Sequence, residues 1–113
     1  MDLDIKQVGS SCTLKVKGQF KSGEPVNQFN QAVQSALAGG HTCLILDLEA
    51  MPVVDSSGIG AIVNALRQSK KLGGDTKLVN PSPFAEKTFR MVGILSLFTV
   101  YKSEAEALTA CVR

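Results

Sequence analysis

The sequence predicts a single-domain α/β protein, with a mixed, mostly parallel sheet of about five strands and about four helices largely on one face. Three observations predict it. An alternating apolar–polar segment opens the chain and is repeated after a short turn, the pattern of a hairpin. Beyond it, short apolar runs alternate with stretches whose apolar residues recur at helical spacing. Glycine pairs close the first two of those stretches, at Gly39-Gly40 and Gly73-Gly74.

Leu3 to Val8 alternates, Gly9-Ser10-Ser11 supplies the turn, and Cys12, Leu14 and Val16 then alternate with Thr13, Lys15 and Lys17. The lysines give this second strand a wet face, so one side of the sheet is expected to lack helical cover. Pro25 opens a helix whose stripe is Val26, Phe29, Val33 and Leu37; its other face, Asn27, Gln28, Gln31 and Gln34, is polar but uncharged. Cys43 to Leu48 is a second, more buried strand, and Met51 to Val54 leads to the next helix. There Ile59, Ile62, Val63 and Leu66 form the stripe, with Lys70 and Lys71 in the last turn, where they complement the helix dipole. Thr76 to Val79 is a short strand. Ser82 caps a third helix with Pro83 at its first position, running to about Val92 before Gly93. Its three large apolar residues, Phe84, Phe89 and Met91, offer a hydrophobic partner groove, but core packing accounts better for at least two of them. Ser96 to Tyr101 is the last strand. Ser103 with Glu106 forms a capping box for a fourth helix. Crossovers between parallel strands are right-handed, so neighbouring consecutive strands would send all the helices to one face.

The 113 residues suit one domain, residues 1–113. A chain of this length buries roughly 65% of its unfolded surface, enough for a core without disulfides or metals. The apolar share of 44% and charged share of 19% are ordinary for a globular domain. Twelve basic and ten acidic residues leave a net charge of +2 with no dense basic run, which argues against direct nucleic-acid binding. No apolar run is long enough to span a bilayer. Three cysteines, Cys12, Cys43 and Cys111, lack CxxC spacing, and Cys12 and Cys43 fall in strand patterns where a free thiol acts as a small hydrophobe. Without a signal peptide, this points to a reducing cytoplasm.

The segment Asp55-Ser56-Ser57-Gly58-Ile59-Gly60 is where a strand gives way to a helix. Asp55 or Ser56 can cap that helix by accepting from free backbone N–H groups. Gly58 and Gly60 cost roughly 1 kcal/mol each in a helix relative to Ala, and glycine lets another molecule approach the backbone closely. A phosphoryl group on Ser56 would add about −1.5 to −2 charge at the positive end of a helix, a placement favoured by about 0.3–1 kcal/mol. Asp55 opposes it by like-charge repulsion. The fold is expected to tolerate the modification, whereas a partner surface would have to bury an unmatched phosphate. The residues alone thus leave two readings, a plain strand-to-helix turn and a switchable binding module, and neither is that of an enzyme.

This segment, preceded by Leu44-Ile45-Leu46-Asp47-Leu48, resembles the signature of STAS domains, and more narrowly that of bacterial anti-sigma factor antagonists. The Gly73-Gly74 turn, Lys77-Leu78-Val79 and Phe89-Arg90-Met91-Val92-Gly93-Ile94 are similar too, so the resemblance covers nearly the whole chain. It implies partner switching. The unphosphorylated antagonist binds an anti-sigma factor that is also a serine kinase, freeing the sigma factor. The kinase uses ATP to phosphorylate the serine after the motif aspartate, here Ser56. The phosphorylated form lets go, and a PP2C-type phosphatase restores it. On this resemblance Asp55 positions the site, while Ser57, Gly58, Ile59 and Gly60, with Gln19 and Lys21, form the adjoining partner surface. The family usually carries Gly-Glu-Leu/Ile-Asp after its second strand; here the corresponding residues are Gly18-Gln19-Phe20-Lys21. Both acids are missing, and the lysine either pairs with a phosphoserine or marks a different partner.

A serine hydrolase would need a base near the serine, but the only histidine is His41, in a turn where a lone imidazole is ordinarily solvated. The flank is no GxSxG elbow and no GxxxxGK[ST] loop occurs. Three scattered cysteines and one histidine lack metal-ligand spacing, so no cofactor or metal is expected. The remaining alternative is another binding role. STAS modules also serve as structural subunits of larger assemblies, including lipid-transport machinery and transporter tails, without a phosphorylation cycle.

Overall fold

The computed structural model describes residues 1–111. Strands β1 (Asp2–Val8) and β2 (Ser11–Lys17) form the antiparallel hairpin, Val8 facing Ser11 across the Gly9-Ser10 turn. Helix α1 (Glu24–Ala38), β3 (Cys43–Asp47), α2 (Ser56–Lys71), β4 (Asp75–Val79), α3 (Pro83–Met91), β5 (Val100–Tyr101) and α4 (Glu104–Cys111) follow. The sheet order is β1-β2-β3-β4-β5, and every pair beyond the hairpin is parallel. Sequence order equals spatial order, so each right-handed crossover steps the same way and α1, α2 and α3 land on one face.

Register builds the main core. Leu14, Leu46 and Leu78 are cross-strand neighbours, as are Cys12, Leu44 and Thr76. These side chains meet Phe29, Val33 and Leu37 of α1, Ile62 and Leu66 of α2, and Phe89 of α3. Ser69 of α2 turns a hydroxyl to Thr76 on β4, 2.8 Å away, so the buried polar pair satisfies itself.

The second face is not bare, contrary to the expectation from Lys15 and Lys17. Helix α4 covers it, packing Ala107 and Cys111 against Cys43, Ile45 and Val79. Handedness governs only strand–helix–strand units, and α4 follows the last strand, so nothing holds it to the first face. Ser103 Oγ accepts from the Glu106 N–H at its start, and Glu104 accepts from Thr13 Oγ1 at 3.2 Å and pairs with Lys6 at 3.4 Å.

Four other expectations change. Cys43 is not a free hydrophobe: it forms a disulfide with Cys111, 68 residues away, leaving buried Cys12 as the free thiol among the described residues. The inference from cysteine usage to a reducing compartment loses that premise. The segment Ser96 to Tyr101 is not one strand. A 3-10 turn, Leu95–Leu97, places Phe98 in the core, and only Val100 and Tyr101 pair with β4. Of the three large α3 residues only Phe89 is buried; Phe84 is 46% and Met91 76% exposed. His41 is bonded, its Nδ1 donating to the Gly9 carbonyl at 2.7 Å, which ties the hairpin turn to the α1–β3 connection. No helix among the described residues is long and apolar enough to cross a membrane.

Candidate functional site

The site lies along the edge of the sheet where the parallel strands end. Three loops meet there, joining β2 to α1, β3 to α2 and β4 to α3. The middle one is held from both sides. Gly18 N–H donates to the Ala50 carbonyl (2.9 Å), Phe20 N–H to Val53 (2.8 Å), and Asp55 N–H to Phe20 (3.2 Å). These bonds make a one-rung extension of the parallel sheet, the isolated bridge between Phe20 and Val54. On the other side Ser82 N–H donates to the Leu48 carbonyl (3.1 Å) and Ser82 Oγ to that of Met51 (2.7 Å). Ser82 Oγ also accepts from Ala85 N–H, so one hydroxyl caps α3 and anchors the middle loop.

Phe20 is the plug beneath this arrangement. It is fully buried, its ring 5.0 Å from that of Phe29. Gly58 makes room for it: a Cβ there would stand 2.7 Å from the Phe20 carbonyl oxygen and 2.8 Å from Val54 Cγ2. Its place in the first turn of α2 is therefore explained by close packing inside the protein. Gly58 is buried and supports the site from below, whereas a Cβ on Gly60 would meet nothing within 4 Å.

Asp55 is the N-cap of α2. Its Oδ1 accepts from Gly58 N–H and its Oδ2 from Ser22 N–H, each at 2.9 Å. One carboxylate thus caps the helix and pins the β2–α1 loop. The Ser22 and Gly58 N–H groups hold its pKa below the ordinary aspartate value, with smaller contributions from the Ser57 N–H and the Lys21 charge.

Ser56, the first residue of α2, is exposed, and so are Ser57 and Gly60; Ile59 is half-buried and packs against the main core. Gln19 and Lys21 are exposed on the loop pinned by Phe20 and Ser22. Asp55, Ser56, Ser57, Ile59, Gly60, Gln19 and Lys21 therefore border one edge, and Gly58 lies under it. His41 stands two residues before β3, at the opposite end of the sheet from Ser56, so no imidazole reaches the hydroxyl. Sequence reasoning missed Phe20 as the plug, Ser22 as a second donor to Asp55, and the link from Ser82 to Met51. The one available signal was Phe20 itself, a lone large apolar residue within a polar stretch.

The model of the STAS domain family matches residues 2–107. An anti-sigma F factor antagonist of Lysinibacillus sphaericus is 34% identical over 70 residues, 61% of this chain and 60% of that protein; one of Paenibacillus polymyxa is 27% identical over 66 residues, 58% and 56%. The match thus spans less than two thirds of these curated relatives. Among solved structures, a candidate anti-sigma factor antagonist from Thermotoga maritima superposes with a TM-score of 0.87 at 24% identity, over 98% of this chain and 95% of that one. The phosphorylated form of the Bacillus cell fate determinant SpoIIAA gives 0.77 at 25% identity, over 96% and 98%.

Proposed function

The chain belongs to the STAS domain family, and from that premise we propose that it is an anti-sigma factor antagonist worked by phosphorylation of Ser56. Unmodified, it binds a serine-kinase anti-sigma factor through the edge formed by Asp55, Ser56, Ser57, Ile59 and Gly60, with Gln19 and Lys21 beside them, and Gly58 shapes that edge from beneath. The kinase transfers a phosphoryl group from ATP to Ser56 Oγ, the complex parts, and a PP2C-type phosphatase resets the protein. It has no catalytic activity of its own, and the ATP its kinase draws on puts it in the cytoplasm, a reading that rests on that kinase and not on its cysteines. The names of its relatives support this reading.

The observation that carries it is the exposure of Ser56 directly after a capping aspartate. Asp55 already takes the Gly58 N–H. A phosphate on Ser56 therefore meets a helix end where that N–H is taken, with an ionised carboxylate next door. It stays at the surface, where an approaching partner must desolvate it. A loss of about 2.7 kcal/mol is a hundredfold in affinity.

Calorimetric titration of the kinase tests this. The unmodified protein binds, and the Ser56→Asp variant keeps its melting temperature within a few degrees while binding at least about a hundredfold more weakly. Equal binding by the variant would favour the scaffold role over switching.

A further inference from the structure

The three loops of the site edge carry few charges. The β3–α2 loop has Glu49 and Asp55, both acidic; the β4–α3 loop has none; and the β2–α1 loop has only Lys21. The first charged residue of α2 is Arg67, three turns beyond Ser56, and α1 begins with an acid, Glu24. Lys17, at the end of β2, is engaged by Asp4 at 2.9 Å. Lys21 is thus the single cation on these loops, and it makes no ion pair among the described residues. Its backbone is also held in place. Phe20, before it, is bonded to Val53 and Asp55, and Ser22, after it, donates to the Asp55 carboxylate. An exposed ammonium without a close ion pair is therefore tethered near Asp55, the residue before Ser56, whose carboxylate its charge favours.

Resting on the phosphorylation reading above, we infer that Lys21 is the intramolecular counter-ion of a phosphoryl group on Ser56. The Asp55 carboxylate and a phosphate on the next residue repel each other, and the Gly58 amide already binds Asp55. A lysine side chain is long and flexible enough to move from solvent to the new anion without any change of backbone. Its positive charge favours the dianionic phosphate over the monoanion. Modification then does two things at once: it adds negative charge to the docking edge, and it engages the one lysine on the edge's loops.

The test uses protein with phosphoserine incorporated at position 56 during translation, so it does not depend on any kinase. The phosphate is titrated by 31P NMR in the Lys21 protein and in Lys21→Ala, Lys21→Glu, Lys21→Arg and Lys70→Ala versions. The second phosphate pKa, ordinarily about 6, is expected to lie about half a unit or more higher in Lys21→Ala than in the Lys21 protein, and higher still in Lys21→Glu. Lys21→Arg should keep the low value. Lys70→Ala, altered at the far end of α2, should leave it unchanged. Identical values in the Lys21, Lys21→Ala and Lys21→Glu proteins overturn the inference. So does an arginine that fails to substitute, or an equal shift from Lys70→Ala. Whether a kinase uses Ser56 is a separate question, answered by mapping its label, so the two readings can fail independently.

Discussion

Asp55 holds the site together at the scale of single residues, because its two oxygens bind different segments. Its pKa is depressed by the Ser22 and Gly58 N–H groups. A group with a lowered folded pKa stabilises the fold above its unfolded pKa and loses that contribution as pH falls through the folded value. The stability gap between the native protein and Asp55→Asn should therefore be full above the ordinary aspartate value of 3.8 and close as the pH drops below it; denaturant melts at a series of pH values measure this. The two glycines of the motif part company in the same way. Gly58→Ala drives a methyl against the Phe20 carbonyl, and overpacking of that kind costs about 1–3 kcal/mol. Gly60→Ala meets open space and should gain up to about 1 kcal/mol from helix propensity. Thermal melts of the pair decide it. The cap was legible in the sequence, as Asp55 or Ser56, because capping chemistry is local, whereas Gln19 and Lys21 came only from the family resemblance. The role of Gly58 was not, since its reason is a carbonyl 38 positions earlier in the chain.

Among elements, α4 is held to the sheet by tertiary contacts. Its Ala107 and Cys111 pack on the second face, and the disulfide fastens its last turn to the start of β3. A cross-link closing so long a loop is worth typically about 2–4 kcal/mol. Denatured without reductant, the protein should show one reactive thiol, Cys12, and with reductant all three cysteines. Cys111→Ser should lower the unfolding free energy by about 2–4 kcal/mol; three thiols before reduction would contradict the cross-link. Long, strongly patterned elements could be read from the sequence: α1, α2 and the β1–β2 hairpin carry clear periods. The last strand could not, because Leu95, Leu97 and Val100 match several templates, and contact of Phe98 with the core chose the 3-10 turn. Cover on the second face had left one sign. The unbroken run Leu44-Ile45-Leu46 needs burial on both sides of β3, as a strand inside a parallel sheet does.

Taken whole, the molecule separates its scaffold from its switch. The strand order and right-handed crossovers fix three helices on one face and bring three loops to one edge. Backbone hydrogen bonds on both sides of the middle loop make that edge rigid before any partner arrives. Fold class was legible because it follows from alternation and handedness; strand order entered only as a condition, that consecutive strands be neighbours, which the sheet meets. The mutual anchoring of the loops was not, because it depends on pairs such as Phe20 with Val53 and Ser82 with Met51, which only the folded chain brings together. A rigid edge implies that phosphorylation acts by charge at the surface and leaves the sheet unmoved, so amide chemical shifts of Ser56→Asp should change around the three loops and stay put in β1, α4 and the far half of α2. The most direct measurement is incubation of the protein with its cognate kinase and ATP, followed by mass-spectrometric mapping of the modified residue. The phosphoryl group is expected on Ser56, with labelling abolished in Ser56→Ala; label on another residue, or undiminished labelling of that variant, would contradict the account.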